Sequence, residues 1–214
     1  MGILNKGANG PFRGKTGSVI GSGWKKIDYI KGLPRSYKNK GKPSVEQQFQ
    51  QQKFQLLNSF LSFITPVLKI GFQAFLSKAT ARNIAFQYNY EHAFIQDETG
   101  EPALNYAALR LSHGSLFSAG AENAEWVENS IRVSWDPKTY GISGALDDEA
   151  HMLCYFANAN FFKSPENLVR RHHGEAQIPD VSQEEFQSAH IWLFFSDNQR
   201  KRVSSTVYLP TTKD

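Results

Sequence analysis

Four groups of residues carry side chains whose types could do chemistry. Gly14-Lys15-Thr16-Gly17 has the composition of a phosphate-cradling loop. A P-loop spaces these residues as Gly-x-x-x-x-Gly-Lys-[Ser/Thr] between a strand and a helix. Here Gly10 and Gly14 stand one residue too close, and hairpin-forming residues follow, so turn glycines are the better reading. Asp147-Asp148-Glu149 with His151 has the donors of a metal site, to which His172 and His173 could add. Adjacent strand residues point to opposite faces, so His172 and His173 do not readily share an ion. Neither His-x-x-x-His nor His-Glu-x-x-His occurs. The acidic triplet is expected to solubilise a loop ahead of a buried strand, and no metal ligand is assigned.

Cys154 lies in an apolar run, whereas a reactive thiol needs exposed, cationic surroundings. Burial as a small apolar side chain is expected. A single Cys also excludes an intrachain disulfide framework and a multi-Cys zinc site. No nucleophile-elbow motif is present. No catalytic residue and no cofactor is assigned, and a non-enzymatic protein is expected.

The fourth group is the N-terminal segment. Residues 1–43 hold ten Lys/Arg and one acid, Asp28, a net charge of +9, whereas residues 44–214 hold fourteen Lys/Arg and nineteen acids, a net charge of −5. Nine of the sixteen glycines also fall in 1–43. Such a Gly-rich, self-repelling stretch buries little apolar surface to offset its ordering entropy, so it needs a surface to cover it. Opposite charges favour laying it on a body like this one. The expectation is a structural subunit of a homomeric assembly (a filament, ring or particle component) whose basic arm contacts neighbouring subunits. Phe12, Trp24 and Tyr29 are the expected anchors, because buried aromatics dominate interface energy. Lys15, Lys25, Lys26 and Arg35 are the expected electrostatic contacts. The alternative partner is nucleic acid, with the cations on phosphates and Phe12, Trp24, Tyr29 and Tyr37 stacking on bases. A second alternative is a monomer whose arm packs on its own body.

The elements that must position these groups follow from pattern. Residues 14–33 read as a hairpin, with Ser18, Val19 and Ile20 in one strand, residues 24–30 in the other and Gly21-Ser22-Gly23 as the turn. Residues 34–43 are a basic linker. A helix begins at Ser44, with Gln47 completing a capping box. Its apolar stripes, Phe49/Leu56/Phe60/Phe63 and Phe54/Leu57/Leu61/Ile64, widen the buried face toward the C-terminal end. Thr65-Pro66 reads as N-cap and N1 of a second helix, and Thr80 caps a third through about Tyr90. Residues 56–76 never reach ~18 consecutive apolar residues, so a buried helical hairpin is expected and membrane insertion is not.

After Glu91 the texture is β. Runs at 104–111, 130–135, 151–157, 168–171, 190–195 and 203–209 alternate with turn residues such as Asp97-Glu98-Thr99-Gly100. Met152–Phe156 and Ile191–Phe195 are apolar on both faces, as central strands are. The spacing predicts an antiparallel sandwich. The expected organisation is α+β: a Gly-rich hairpin arm over 1–43, a helical region over 44–92 and a β-sandwich over 93–214. Residues 1–25 lack the apolar stretch of a cleavable signal peptide. The cytoplasm is therefore the favoured location, with a particle or extracellular assembly exported without a signal as the other.

Three stretches resemble a family of uncharacterised bacterial proteins, domain of unknown function 6266. They are Gly10-Pro-Phe-Arg-Gly-Lys-Thr-Gly-Ser-Val-Ile-Gly-Ser-Gly-Trp-Lys25; the linker into Ser44-Val-Glu-Gln-Gln-Phe-Gln-Gln-Gln-Lys-Phe54 and on through Phe72; and Trp192-Leu-Phe-Phe-Ser-Asp with Val203-Ser-Ser-Thr-Val-Tyr-Leu209. The Gly-Lys-x-Gly-Ser-Val-x-Gly pattern with its Trp is the most specific. The family often has Gly after the Trp-Lys pair, where this chain has Lys26. The resemblance implies no activity, cofactor or catalytic residue. The C-terminal half also resembles a fibronectin type III-like sandwich, with Trp135 as its core Trp, which implies a fold and not a function.

Overall fold

The computed structural model describes residues 2–3, 12–24, 27–33, 42–77 and 79–211, the first two by backbone alone. Lys25, Lys26, Arg35 and Tyr37 lie outside the described residues. The chain divides into two units, Met1–Pro43 and Ser44–Asp214.

In the first unit, β1 (Gly2–Ile3), β2 (Gly14–Thr16), β3 (Val19–Trp24) and β4 (Ile27–Gly32) form an antiparallel sheet in the order β1-β4-β3-β2. The expected turn at Gly21-Ser22-Gly23 is corrected. All three residues lie inside β3, and a turn falls at Gly17-Ser18, where Gly17 has a φ of +59°. Gly21 serves a close approach instead. A Cβ there would stand 2.2 Å from the Phe12 carbonyl oxygen, so only glycine admits that backbone.

The second unit opens with three helices. Ser44 Oγ accepts from the Gln47 N–H at 3.2 Å and Gln47 Oε1 accepts from the Ser44 N–H at 3.1 Å, the expected capping box. α1 (Val45–Phe63) buries Leu57, Phe60 and Leu61, all in its C-terminal half. α2 (Thr65–Gly71) follows at an angle of 85°. Thr65 is not its N-cap. Ile64 holds that position, and the Thr65 hydroxyl donates back to the Ser62 carbonyl at 2.9 Å. Pro66 sits in the first turn, where a missing N–H costs nothing. Thr80 caps α3 (Ala81–Asn89), accepting from the Asn83 N–H at 3.3 Å. Among the described residues no single helix is long and apolar enough to cross a membrane.

The strands that follow are β5 (Phe94–Gln96), β6 (Pro102–Leu104), β7 (Asn123–Val127), β8 (Ser130–Ser134), β9 (Glu149–Phe156), β10 (Phe161–Lys163), β11 (Val169–Arg170), β12 (Glu175–Ile178), β13 (Ala189–Ser196) and β14 (Val207–Leu209). A short helix, α4 (Gln183–Gln187), precedes β13. The larger sheet runs β10-β9-β13-β14, with β11 also on β9, and the smaller runs β12-β8-β7. All their strand pairings are antiparallel.

β9 and β13 pair over their whole length, from Ala189 opposite Phe156 to Ser196 opposite Glu149. Their two-sided apolar character is used on both sides. Met152, Cys154, Ile191, Leu193 and Phe195 meet Ile131, Val133, Trp135, Ala176 and Ile178 of the smaller sheet side. Leu153, Tyr155 and Trp192 face the helices and meet Leu57, Phe60, Leu61, Leu68 and Ala85. The fold is thus mixed α+β: a β-sandwich with helices on the outer face of its larger sheet.

Two expected strands are corrected: 105–111 is not strand, and 203–209 is shorter than its pattern. The run 104–111 leaves the strand at Leu104 for a 3₁₀ turn at Tyr106–Ala108, whose Tyr106 carbonyl accepts from Trp192 Nε1 at 3.1 Å. The run 203–209 keeps only Val207–Leu209 as strand. Upstream, Ser204 Oγ accepts from the Phe195 N–H at 2.9 Å and Thr206 Oγ1 from the Ser112 N–H at 2.7 Å, so side chains replace part of the ladder.

Candidate functional site

In the arm, register decides which side chains share a face. Lys15 lies opposite Ile20 and Ile20 opposite Lys31; Ser22 lies opposite Tyr29, and Trp24 opposite Ile27. Strand residues alternate sides, so Lys15, Ile20, Ser22, Trp24, Ile27, Tyr29 and Lys31 lie on one face of the sheet. That face is apolar and aromatic toward one end and cationic toward the other. Trp24 is 49% and Ile27 51% exposed, and Lys15 and Lys31 are exposed. Phe12 does not join them. It lies against Gly21, whose absent side chain belongs to the opposite face. Of the expected anchors, Trp24 and Tyr29 therefore share a face with Lys15, and Phe12 supports the sheet from behind. Sequence inspection missed Ile27 and Lys31. Both become legible once β3 runs to Trp24 and pairs with Ile27–Gly32, because cross-strand partners share a face.

In the second unit, a groove of about 480 Å³ lies beside α1. Phe60, Phe63, Tyr106, Tyr155 and Phe162 give it aromatic walls. The rings of Phe60 and Tyr155 meet edge-on at 5.3 Å, and those of Tyr155 and Phe162 lie 4.7 Å apart. Burial, followed by the neighbouring Tyr155, pushes the Tyr106 hydroxyl up to about 12. Asp97 and Glu101, from the β5–β6 hairpin, are acidic members of the same lining. Asp97 accepts from the Thr99 hydroxyl at 2.7 Å and from the Thr99 and Glu101 N–H groups, bonds that hold its carboxyl below the usual range. Glu101 accepts from Gln52 Nε2 at 3.2 Å. Neither acid forms an ion pair among the described residues. Phe63 remains 67% exposed and Leu56 38%.

The acidic triplet is spent differently from the loop-solubilising role expected of it. Asp148 is buried against Arg171, Oδ2 to Nε at 3.3 Å, and Arg171 also donates to the Phe117 and Ser118 carbonyls and lies 4.1 Å over the Phe195 ring. Glu149 accepts from Arg200 at 2.8 Å, and Asp147 accepts from the Asn198 amide. His151 Nε2 lies 2.8 Å from Ser196 Oγ. Burial, only partly opposed by Glu149, brings its imidazole down to about 4. His172 Nδ1 lies 2.9 Å from the Leu146 carbonyl, and His173 Nδ1 accepts from the Arg170 N–H. Among the described residues no three His, Cys, Asp or Glu side chains converge as metal ligands. Cys154 is fully buried, and burial pushes its thiol up to about 12.

The fold and these features define a mixed α+β protein with a basic, aromatic-faced N-terminal sheet and an antiparallel sandwich body. The chain belongs to a family of unknown function, DUF6266, whose family model matches residues 11–210. No curated protein sequence matches it. Among solved structures, a fibronectin type III domain of the human collagen alpha-1(XX) chain is similar at 15% identity and a TM-score of 0.33, over 48% of this chain and 95% of that domain.

Proposed function

We propose that the protein is a non-enzymatic structural subunit of a homomeric assembly, in which the arm of residues 1–43 contacts neighbouring subunits. One observation carries this reading. A single face of the arm's sheet holds the half-exposed Trp24 and Ile27, the partly buried Tyr29, and Lys15 and Lys31. Exposed aromatic and aliphatic side chains grouped on one face gain by being covered, at roughly 25 cal/mol per Å² of apolar area removed from water. The lysines select an acidic surface and speed encounter. The body, at a net −5, offers one on every copy of the chain.

Solution mass against concentration and salt tests the proposal. The full-length chain is expected to self-associate, and the chain lacking residues 1–43 to remain a folded monomer. Retention of the full oligomeric mass by the truncated chain would remove the arm as connector.

The same face supports a second reading, nucleic-acid binding, since Lys15 and Lys31 on one face with the exposed Trp24 ring suit a phosphate backbone with a stacked base. That reading predicts retention on single-stranded nucleic acid at low salt, with affinity falling steeply as salt rises. Failure to bind at low salt excludes it.

A further inference from the structure

We propose that the groove beside α1 receives the Trp24–Ile27 end of the arm from a second copy of this chain, a proposal that rests on the assembly reading and gives it an address. Groove and arm face are complementary in three respects. The groove's volume, about 480 Å³, falls within the size of cavities that hold a large side chain or small ligand. Its walls are rings, with Phe63 and Leu56 left exposed, and the arm presents an exposed Trp and Ile. Its lining includes two carboxylates, Asp97 and Glu101, without a cation among the described residues, and the arm face presents Lys15 and Lys31.

Each term acts in the expected order. Charge attracts and orients the arm, because Asp97 and Glu101 are the sign that Lys15 and Lys31 require. Trp24 then supplies most of the affinity by leaving water among Phe63, Phe60 and Phe162, where edge-to-face ring contacts add to burial. Glu101 is tethered by Gln52, and Asp97 by its own turn, so the acids are held in place before the arm arrives. Little side-chain entropy is then lost on docking.

Co-expression of two differently tagged full-length chains tests the address. One carries Ser22→Cys, on the arm face beside Trp24, and the other Gln55→Cys, at the groove. Cys154 is fully buried and does not compete for a thiol reagent. A short bis-maleimide should then join the two tags in one product. Glu101→Lys in the full chain should weaken self-association by at least ~10-fold, since it sets like charge against the arm. An assembly of unchanged mass that gives no mixed-tag product and ignores Glu101→Lys overturns the groove and leaves the assembly reading standing. A full-length chain that stays monomeric at every concentration overturns both. A product formed only when both cysteines lie in one chain assigns the groove to the chain's own arm and overturns the proposal.

Discussion

Trp24 and Ile27 stand opposite each other at the end of the β3–β4 ladder, each with about half its surface in solvent. Covering what remains exposed of these two side chains would remove further apolar surface from water. If they anchor a neighbour, truncation should be felt in association and not in folding. Trp24→Ala should raise the dissociation constant by roughly thirtyfold, equivalent to ~2 kcal/mol, the size of an interface hot spot. The melting temperature of the body should not move. Sedimentation equilibrium paired with calorimetry separates the two effects.

Gly21 tests whether the arm must be a formed sheet. Its added Cβ would meet the Phe12 carbonyl oxygen at 2.2 Å, a backbone atom that cannot swing aside as the end of a flexible side chain would. Gly21→Ala should cost the arm ~1–3 kcal/mol and expose its amides to hydrogen exchange. Association should fall as it does for Trp24→Ala. An unchanged exchange pattern in residues 12–33 would contradict this account of the glycine.

Arg171 and Asp148 make a prediction about the body. Their side chains are 0% and 3% exposed. Arg171→Met leaves Asp148 buried without its cation and should destabilise the body by ~3–5 kcal/mol. Adding Asp148→Asn removes that stranded charge and should recover part of the loss. Urea denaturation of the two variants measures both quantities.

His151 sets a pH dependence. Its pKa in the fold, about 4, lies below the ordinary value of 6.5. The unfolded chain therefore binds more protons between these values, and stability is present above about pH 6.5 and lost as pH falls toward 4. The loss from this group should be on the order of 2–3 kcal/mol. His151→Gln should flatten the slope of unfolding free energy between pH 6.5 and 5, relative to the parent chain. Identical slopes would show that the imidazole is not held neutral by burial.

How much of this was legible in the sequence depended on whether local pattern or distant partners decided each element. Ser44 and Gln47 declared the start of α1 because a capping box is a contact between near neighbours. The two-sided apolar runs in β9 and β13 declared central strands because burial on both faces leaves no polar alternation. β7, β10 and β12 were missed because they are only three to five residues long, too short for a period-2 pattern to stand out from the turn residues around them. Gly21-Ser22-Gly23 was misread as a turn because glycine's tolerance of positive φ and its tolerance of close approach look alike in sequence. The partnership of Asp148 with Arg171, twenty-three residues apart, had no local signature. The two Lys of the arm face, by contrast, became a pair only when the register was known.

The most direct measurement is the solution mass of the full-length chain across a hundredfold range of concentration, set beside Trp24→Ala under identical salt. The account predicts a mass that rises with concentration for the parent and a shift of that rise to higher concentration for the variant. Superimposable curves, or a parent that remains a single chain throughout, would contradict it.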